Sequence, residues 1–341
     1  MKENQISTGR FIDDKEIFAV ELTNSLGSKV KIYNYGAIVS EFIVKNAIGE
    51  KQDIVLGFDD IDGYLNEDYL ANDYPYLGVI VGRYSNRIKD GKYSIDGVNY
   101  EMAQSLHGGL TGFDKKVWDI LPTVDPSLTL QYVSPDGEES FPGNLTVQLT
   151  FKLSDADELI LDYKAFTDAP TALNLTHHTY FNLNKDGGNI AGHYLRIPAS
   201  NYLAQDKDYV VTGALVPVAG TSHEFLGGKT IGQDWDVEEG YDQSFVLDKP
   251  YGELGLASET TESSSGLKLE VYTTEPIAHF YTAKYLNTAT GKGGKAYGPY
   301  SAFCIETQHY PNSVNVPEFP TTILRPGQTY AQTTIFKVSH K

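Results

Sequence analysis

The sequence predicts an all-β fold, a large antiparallel sandwich or barrel. Three observations point there: helical periodicity is scarce, short alternating or β-branched runs recur along the whole chain, and turn dipeptides separate them. The runs are "KVKIYNYGAIVSEFIV", "KYSIDGVNYEM", "LTLQYV", "LTVQLTFKL", "ELILDYKAFT", "LKLEVYTT" and "TYAQTTIFKV". Alternation of apolar residues lines one face of a half-buried strand, and β-branched residues favour the extended backbone. Asp96-Gly97, Asp136-Gly137 and Pro326-Gly327 supply the turn chemistry. A content of 32 glycines, 15 prolines and 24 tyrosines fits many short strands and tight connections. Segment 257–266, "ASETTESSSG", is flanked by strand signals and reads as a long hairpin loop rather than a linker. With no repeat and no break in composition, residues 1–341 are expected to form one domain.

Charge and cysteine content narrow the function classes. The 27 basic and 45 acidic residues give a formal charge of −18, which repels phosphate backbones and anionic lipid heads. Nucleic-acid and membrane partners are therefore not expected, while a neutral small molecule is indifferent to that charge. The single cysteine, Cys304, sits in an apolar run and has no partner for an internal disulfide, which fits a reducing compartment. The N-terminal segment lacks an apolar stretch of the signal-peptide kind, and no run approaches the roughly 20 apolar residues of a membrane-spanning helix. A soluble, cytoplasmic protein is expected, as a monomer or a homodimer.

Several kinds of chemistry find no support. The chain has no phosphate-binding glycine loop ending in Lys-Ser/Thr, no dinucleotide fingerprint, no His-x-His pair and no His-Glu-x-x-His. What remains is a set of polar residues in glycine- and aromatic-rich runs. "VGRYSNRIKDGKY" carries Asn86 and Arg87, and "SLHGGLTGFDKKVW" sets His107 before two glycines that permit close approach of backbone or ligand. "GYDQSFVL" holds Asp242, and "EPIAHFYTA" holds His279. "SAFCIETQHYPNSVN" places Glu306 directly after an apolar strand, where a carboxylate is costly unless hydrogen-bonded or functional.

In "NLTHHTYFNL" two histidines stand side by side in a stretch that reads as strand, so they face opposite ways. His178 shares its face with Asn174, Thr176, Tyr180 and Asn182, an open polar row, whereas His177 leans into packing with Leu175 and Phe181. The alternative for either is a buried, hydrogen-bonded structural histidine. Together these runs supply histidines, a carboxylate at a strand end, an arginine, an aspartate and aromatics. That inventory suits a sugar, whose C–H faces stack on rings while charged groups take adjacent hydroxyls.

The runs "GRYSNRI", "SLHGG", "GFDKKVW", "SPDGEESFPG", "LTHHTYFNL", "GYDQSF", "EVYTTEP", "FCIETQ" and "LRPGQTY", in that order over nearly the whole chain, resemble the aldose 1-epimerase (galactose mutarotase) family. The resemblance implies a single antiparallel β-supersandwich with an open cleft for a free hexose, and no cofactor or metal. It assigns His178 as the catalytic acid and Glu306 as the base. His107 is implied near the ring oxygen, and Asn86, Arg87, Tyr180, Asp242 and His279 on the substrate. The chain departs from the family at His177, commonly Asn, at Gln243, frequently His, and at His279, often Gln. Anomer exchange opens the ring, rotates about C1–C2 and closes it on the other face, which needs one group to take a proton and one to give it. An imidazole with an ordinary pKa of ~6.5 is only partly protonated at neutral pH, and the charges of Glu306 and Asp242 are expected to raise that fraction in His178. Two rivals use the same residues: a glycoside hydrolase or lyase, with Glu306 and Asp242 as its carboxylates, and a non-catalytic sugar-binding sandwich.

Overall fold

A computed structural model describes residues 4–71, 74–122, 127–288 and 290–340. Residues 1–3 of the N-terminal segment read above lie outside them. Strands dominate, and α-helix is confined to short pieces such as Ile61–Tyr64 and Glu67–Ala71. No described helix is long and apolar enough to cross a membrane.

Three larger sheets carry the structure. The first runs Gln5–Ile12, Lys15–Thr23, Lys29–Tyr33, Val39–Lys45 and Lys51–Asp53, each strand beside its sequence neighbour. The second has nine strands in the spatial order Lys229–Thr230, Tyr194–Arg196, Gly255–Thr261, Leu267–Thr273, Tyr330–His340, Glu158–Thr167, Leu145–Leu153, Ser127–Ser134 and Asp119–Leu121. The third runs Val211–Pro217, Asn201–Gln205, Asp242–Val246, Ile277–Tyr281 and Cys304–Gln308, and it positions the site.

The alternation seen in the sequence is realised strand by strand. Leu145, Val147, Leu149, Phe151 and Leu153 point inward, as do Leu159, Leu161, Tyr163 and Ala165 on the neighbouring strand. Residues of all three sheets join in one apolar cluster, among them Val30, Ile32 and Phe42 of the first, Phe151 and Leu269 of the second, and Phe245, Phe280 and Ile305 of the third. Strands Ile277–Tyr281 and Cys304–Gln308 are buried on both faces. Ala278, Phe280 and Ile305 enter the core, which leaves the alternate residues His279, Tyr281 and Glu306 for the opposite face.

The turn chemistry behaves as read at Asp96-Gly97. Ile95 pairs with Val98, and both turn residues have positive φ, 51° and 83°, as a two-residue hairpin with right-handed strand twist requires. Two expectations are corrected. Ala257–Thr261 are not loop but the end of strand Gly255–Thr261, so only residues 262–266 connect that hairpin; its threonines and serine favour a pleated surface as readily as a loop. Glu306 lies within its strand rather than after it.

Candidate active site

Strand register alone gathers half of the site. Ser244 pairs with His279, and His279 with Glu306, so the three side chains stand in a row on one face of the third sheet. Asp242 lies two residues before Ser244 on that face, and its Oδ1 is 2.8 Å from His279 Nε2. Ser244 Oγ is 2.9 Å from His279 Nδ1, so both ring nitrogens of His279 are engaged.

The histidine pair arrives from another segment. Strand character in 174–183 is restricted to Thr176–His177, paired with Ile80–Val81, rather than running through the stretch. The backbone nevertheless stays extended: His178 N–H donates to Val79 at 2.8 Å and Phe181 N–H to Phe303 at 2.8 Å. The predicted facing therefore survives. His177 turns to the core, where Thr179 Oγ1 is 2.7 Å and the Ala37 carbonyl 3.1 Å from its ring nitrogens and Phe151 meets it edge-on. His178 turns the other way and stacks on Tyr180 with centroids 4.9 Å apart.

The polar row beside His178 is not an open surface, and this corrects the sequence reading. Asn174 bonds to the His309 backbone, Thr176 to the Thr307 carbonyl, and Asn182 to the Gly188 and Ser301 carbonyls. Those residues tie the segment to its neighbours, as buried polar groups must. His178 itself is only 4 % exposed, at the base of a pocket.

That pocket has a volume of about 210 Å³ and is lined by all eight residues singled out from the sequence: Asn86, Arg87, His107, His178, Tyr180, Asp242, His279 and Glu306. His178 Nε2 lies 3.5 Å from Glu306 Oε1. Both residues are buried, and His178 Nδ1 and Glu306 Oε2 have no hydrogen-bond partner among the described residues. Sequence reasoning missed Tyr74, Pro75, Tyr76, Leu106 and Tyr285 in the wall. An aromatic–Pro–aromatic run, "YPY", was the available signal. The Tyr180 hydroxyl donates to the Pro75 carbonyl at 2.6 Å, so it fastens that wall behind His178.

His107 is fixed through its backbone and its ring. Its N–H donates to the Asn86 carbonyl at 3.0 Å, and Asn86 N–H donates to His107 Nδ1 at 3.2 Å. An accepting Nδ1 leaves the proton on Nε2. The glycines after His107 serve backbone packing: a Cβ on Gly108 would lie 1.9 Å from the Gly82 carbonyl oxygen, and its φ is +90°. Gly108→Ala is therefore expected to destabilise the fold by roughly 2–4 kcal/mol, from strain at positive φ plus overpacking. Urea denaturation checks this; a wild-type midpoint would contradict it.

The electrostatics separate the three site histidines. Burial holds His178 below its ordinary pKa, the raising effect of the Glu306 and Asp242 charges notwithstanding. This reverses the expected direction: burial outweighs the attraction of the two carboxylates for the imidazolium. Burial, with the neighbouring His178, Arg87 and His279, drives His107 lower still. His279 goes up: burial opposes its charge, but the Asp242 hydrogen bond and the Glu306 and Asp242 charges outweigh it. Asp242 correspondingly goes down, since the bond and charge of His279, with Arg87, outweigh burial. Donor atoms of His107, His178 and Glu306 lie within 4.8 Å of one another, a spacing near that of a metal centre. The set does not fit that use, because a protonated Nε2 on His107 offers no lone pair.

Comparison with known proteins places this architecture. The family model described as Aldose 1-epimerase matches residues 19–337. The chain is 41 % identical to galactose mutarotase of Mus musculus over 321 residues, 91 % of each chain. It is 31 % identical to aldose 1-epimerase of Escherichia coli (strain K12) over 329 residues, 93 % of each. Among solved structures, a GalM/aldose epimerase homologue from C. elegans superposes with a TM-score of 0.87 at 29 % identity, covering 94 % of this chain and 98 % of that one. Galactose 1-epimerase from Lactobacillus acidophilus NCFM gives 0.83 at 26 % identity, covering 99 % and 98 %. The chain belongs to the aldose 1-epimerase family of isomerases.

Proposed function

We propose that the chain interconverts the α- and β-anomers of a free hexose such as galactose or glucose, with Glu306 as base and His178 as acid. The observation that carries this reading is the 3.5 Å approach of His178 Nε2 to Glu306 Oε1 in a buried pocket. The hydroxyl oxygen on C1 and the ring oxygen are bonded to the same carbon, so the groups serving them have to be neighbours. Glu306 takes the proton from the C1 hydroxyl, the C1–ring oxygen bond breaks, and His178, acting in its imidazolium form, gives its proton to that oxygen and is left neutral. Rotation about C1–C2 turns the other face of the aldehyde to the same oxygen. The proton then returns to His178, Glu306 returns its own to the carbonyl oxygen, and the ring closes as the other anomer. His107 Nε2–H is suited to steady the ring oxygen, and Asn86, Arg87 and Asp242 to take hydroxyls. Tyr180 and His279 contribute by support, since the Tyr180 hydroxyl and both His279 nitrogens are already bonded.

The second carboxylate a hydrolase would need, Asp242, is committed to His279, which favours anomer exchange over glycosidic cleavage. Proton NMR of fresh α-galactose and of a galactose disaccharide tests the reading. Rapid growth of the β-anomer signal with an uncut disaccharide supports it; a cleaved disaccharide, or binding without anomer exchange, would overturn it. Arg87→Ala and Asp242→Ala are each expected to raise KM about 5–30-fold and to lower the rate, since each leaves sugar hydroxyls without a charged partner. An unchanged KM for both galactose and glucose in both folded variants would place these residues outside the binding site.

We further propose a single domain over 1–341, supported by the apolar cluster shared by the three sheets, and residence in the cytoplasm, supported by the buried free thiol of Cys304.

A further inference from the structure

Arg87 lines the sugar pocket, yet among the described residues its guanidinium makes no ion pair or hydrogen bond. A long, free side chain is a poor binding element, because its rotamer entropy is lost each time ligand enters. What the structure offers instead is an aromatic shelf: the Arg87 guanidinium lies over the Tyr209 ring, 5.5 Å from its centroid. The Tyr209 hydroxyl is 3.0 Å from that of Tyr285, a pocket residue whose own N–H donates to the Tyr281 hydroxyl at 2.9 Å. Contact thus runs from Arg87 to Tyr209 by stacking, and from Tyr209 through Tyr285 to the site strand Ile277–Tyr281 by two hydrogen bonds.

The backbone of Tyr209 points the same way. It closes the turn between strands Asn201–Gln205 and Val211–Pro217, with Tyr209 N–H donating to the Asp206 carbonyl at 3.0 Å. Its φ is +61°, a conformation that glycine or asparagine adopts readily and a bulky aromatic does not. Strain of this kind persists where the side chain has a use that outweighs it.

We infer that Tyr209 is a positioning residue for substrate binding, holding Arg87 against the pocket by stacking and by its bond to Tyr285. The inference rests on the reading of Arg87 as a hydroxyl-binding group. It separates function from stability, because removing the ring relieves backbone strain while it frees the arginine. Tyr209→Gly, Tyr209→Asn, Tyr209→Phe, Arg87→Ala and the Tyr209→Gly/Arg87→Ala double variant are assayed by polarimetry on galactose and by thermal melting. Tyr209→Gly and Tyr209→Asn are expected to raise KM roughly tenfold, a loss of about one oriented charged contact, with kcat within about twofold and Tm unchanged or higher. Tyr209→Phe retains the shelf and should keep KM within about threefold. The double variant should be no worse than Arg87→Ala alone. A wild-type KM in both Tyr209→Gly and Tyr209→Asn, or additive effects in the double variant, would overturn the role of Tyr209 and leave that of Arg87 standing. A wild-type KM in Arg87→Ala would overturn both.

Discussion

Glu306→Gln is expected to lose at least two orders of magnitude in turnover while the protein keeps its fold. The amide has the shape of the carboxylate and retains an accepting oxygen, but it cannot take a proton from the C1 hydroxyl. A hundredfold loss corresponds to about 2.7 kcal/mol of barrier and sits within the usual range for one general acid–base group. The structure adds a prediction on stability. Glu306 is 1 % exposed, and its Oε2 has no hydrogen-bond partner among the described residues. A buried charge so placed costs desolvation that a neutral amide avoids, so Tm should hold or rise. Falling activity with steady or rising Tm separates a catalytic residue from a structural one. Near wild-type turnover in a folded variant would remove Glu306 from the mechanism.

The second large effect concerns the paired histidines. His178→Asn should abolish most anomer exchange, because it removes the ring that stands 3.5 Å from Glu306 and serves as its acid partner, and an amide cannot replace a titratable imidazole. It should also lose some stability, about 1–3 kcal/mol. The imidazole is buried and stacked between Tyr180 and Tyr76, so removing it forfeits aromatic contact and leaves a void. His177→Asn should keep most activity, since its ring faces Phe151 and is bonded to Thr179 and Ala37 on the far side of the backbone. Its cost should appear in the melt, within about 2 kcal/mol. Polarimetry and thermal melting of both variants decide it. An inactive His177→Asn beside an active His178→Asn would invert the assignment.

The sequence made the strands legible because one face of most of them packs into the core. From Leu145 to Leu153 and from Leu159 to Ala165 every second residue is apolar, and the observed burial follows that pattern residue for residue. The facing of His177 and His178 was legible for the same reason. The surroundings of His178 were not. A polar row reads as solvent-facing when nothing in the local pattern tells that another strand will cover it, and Asn174, Thr176 and Asn182 are covered by segments more than a hundred residues away or by a distant turn. The protonation of His178 failed with it: in an open site the carboxylates would dominate, whereas in a buried one desolvation does. Tyr74 and Tyr76 stayed hidden because a Tyr-Pro-Tyr run carries no periodicity, and its place in the wall depends on a bond from Tyr180.

Polarimetry of freshly dissolved α-galactose with the unmodified protein tests the central claim most directly. Catalysis of anomer exchange predicts a first-order approach to the final rotation whose rate rises in proportion to protein concentration, with the final rotation unchanged and no cofactor added. A rate equal to that of buffer alone at every concentration of folded protein would contradict it.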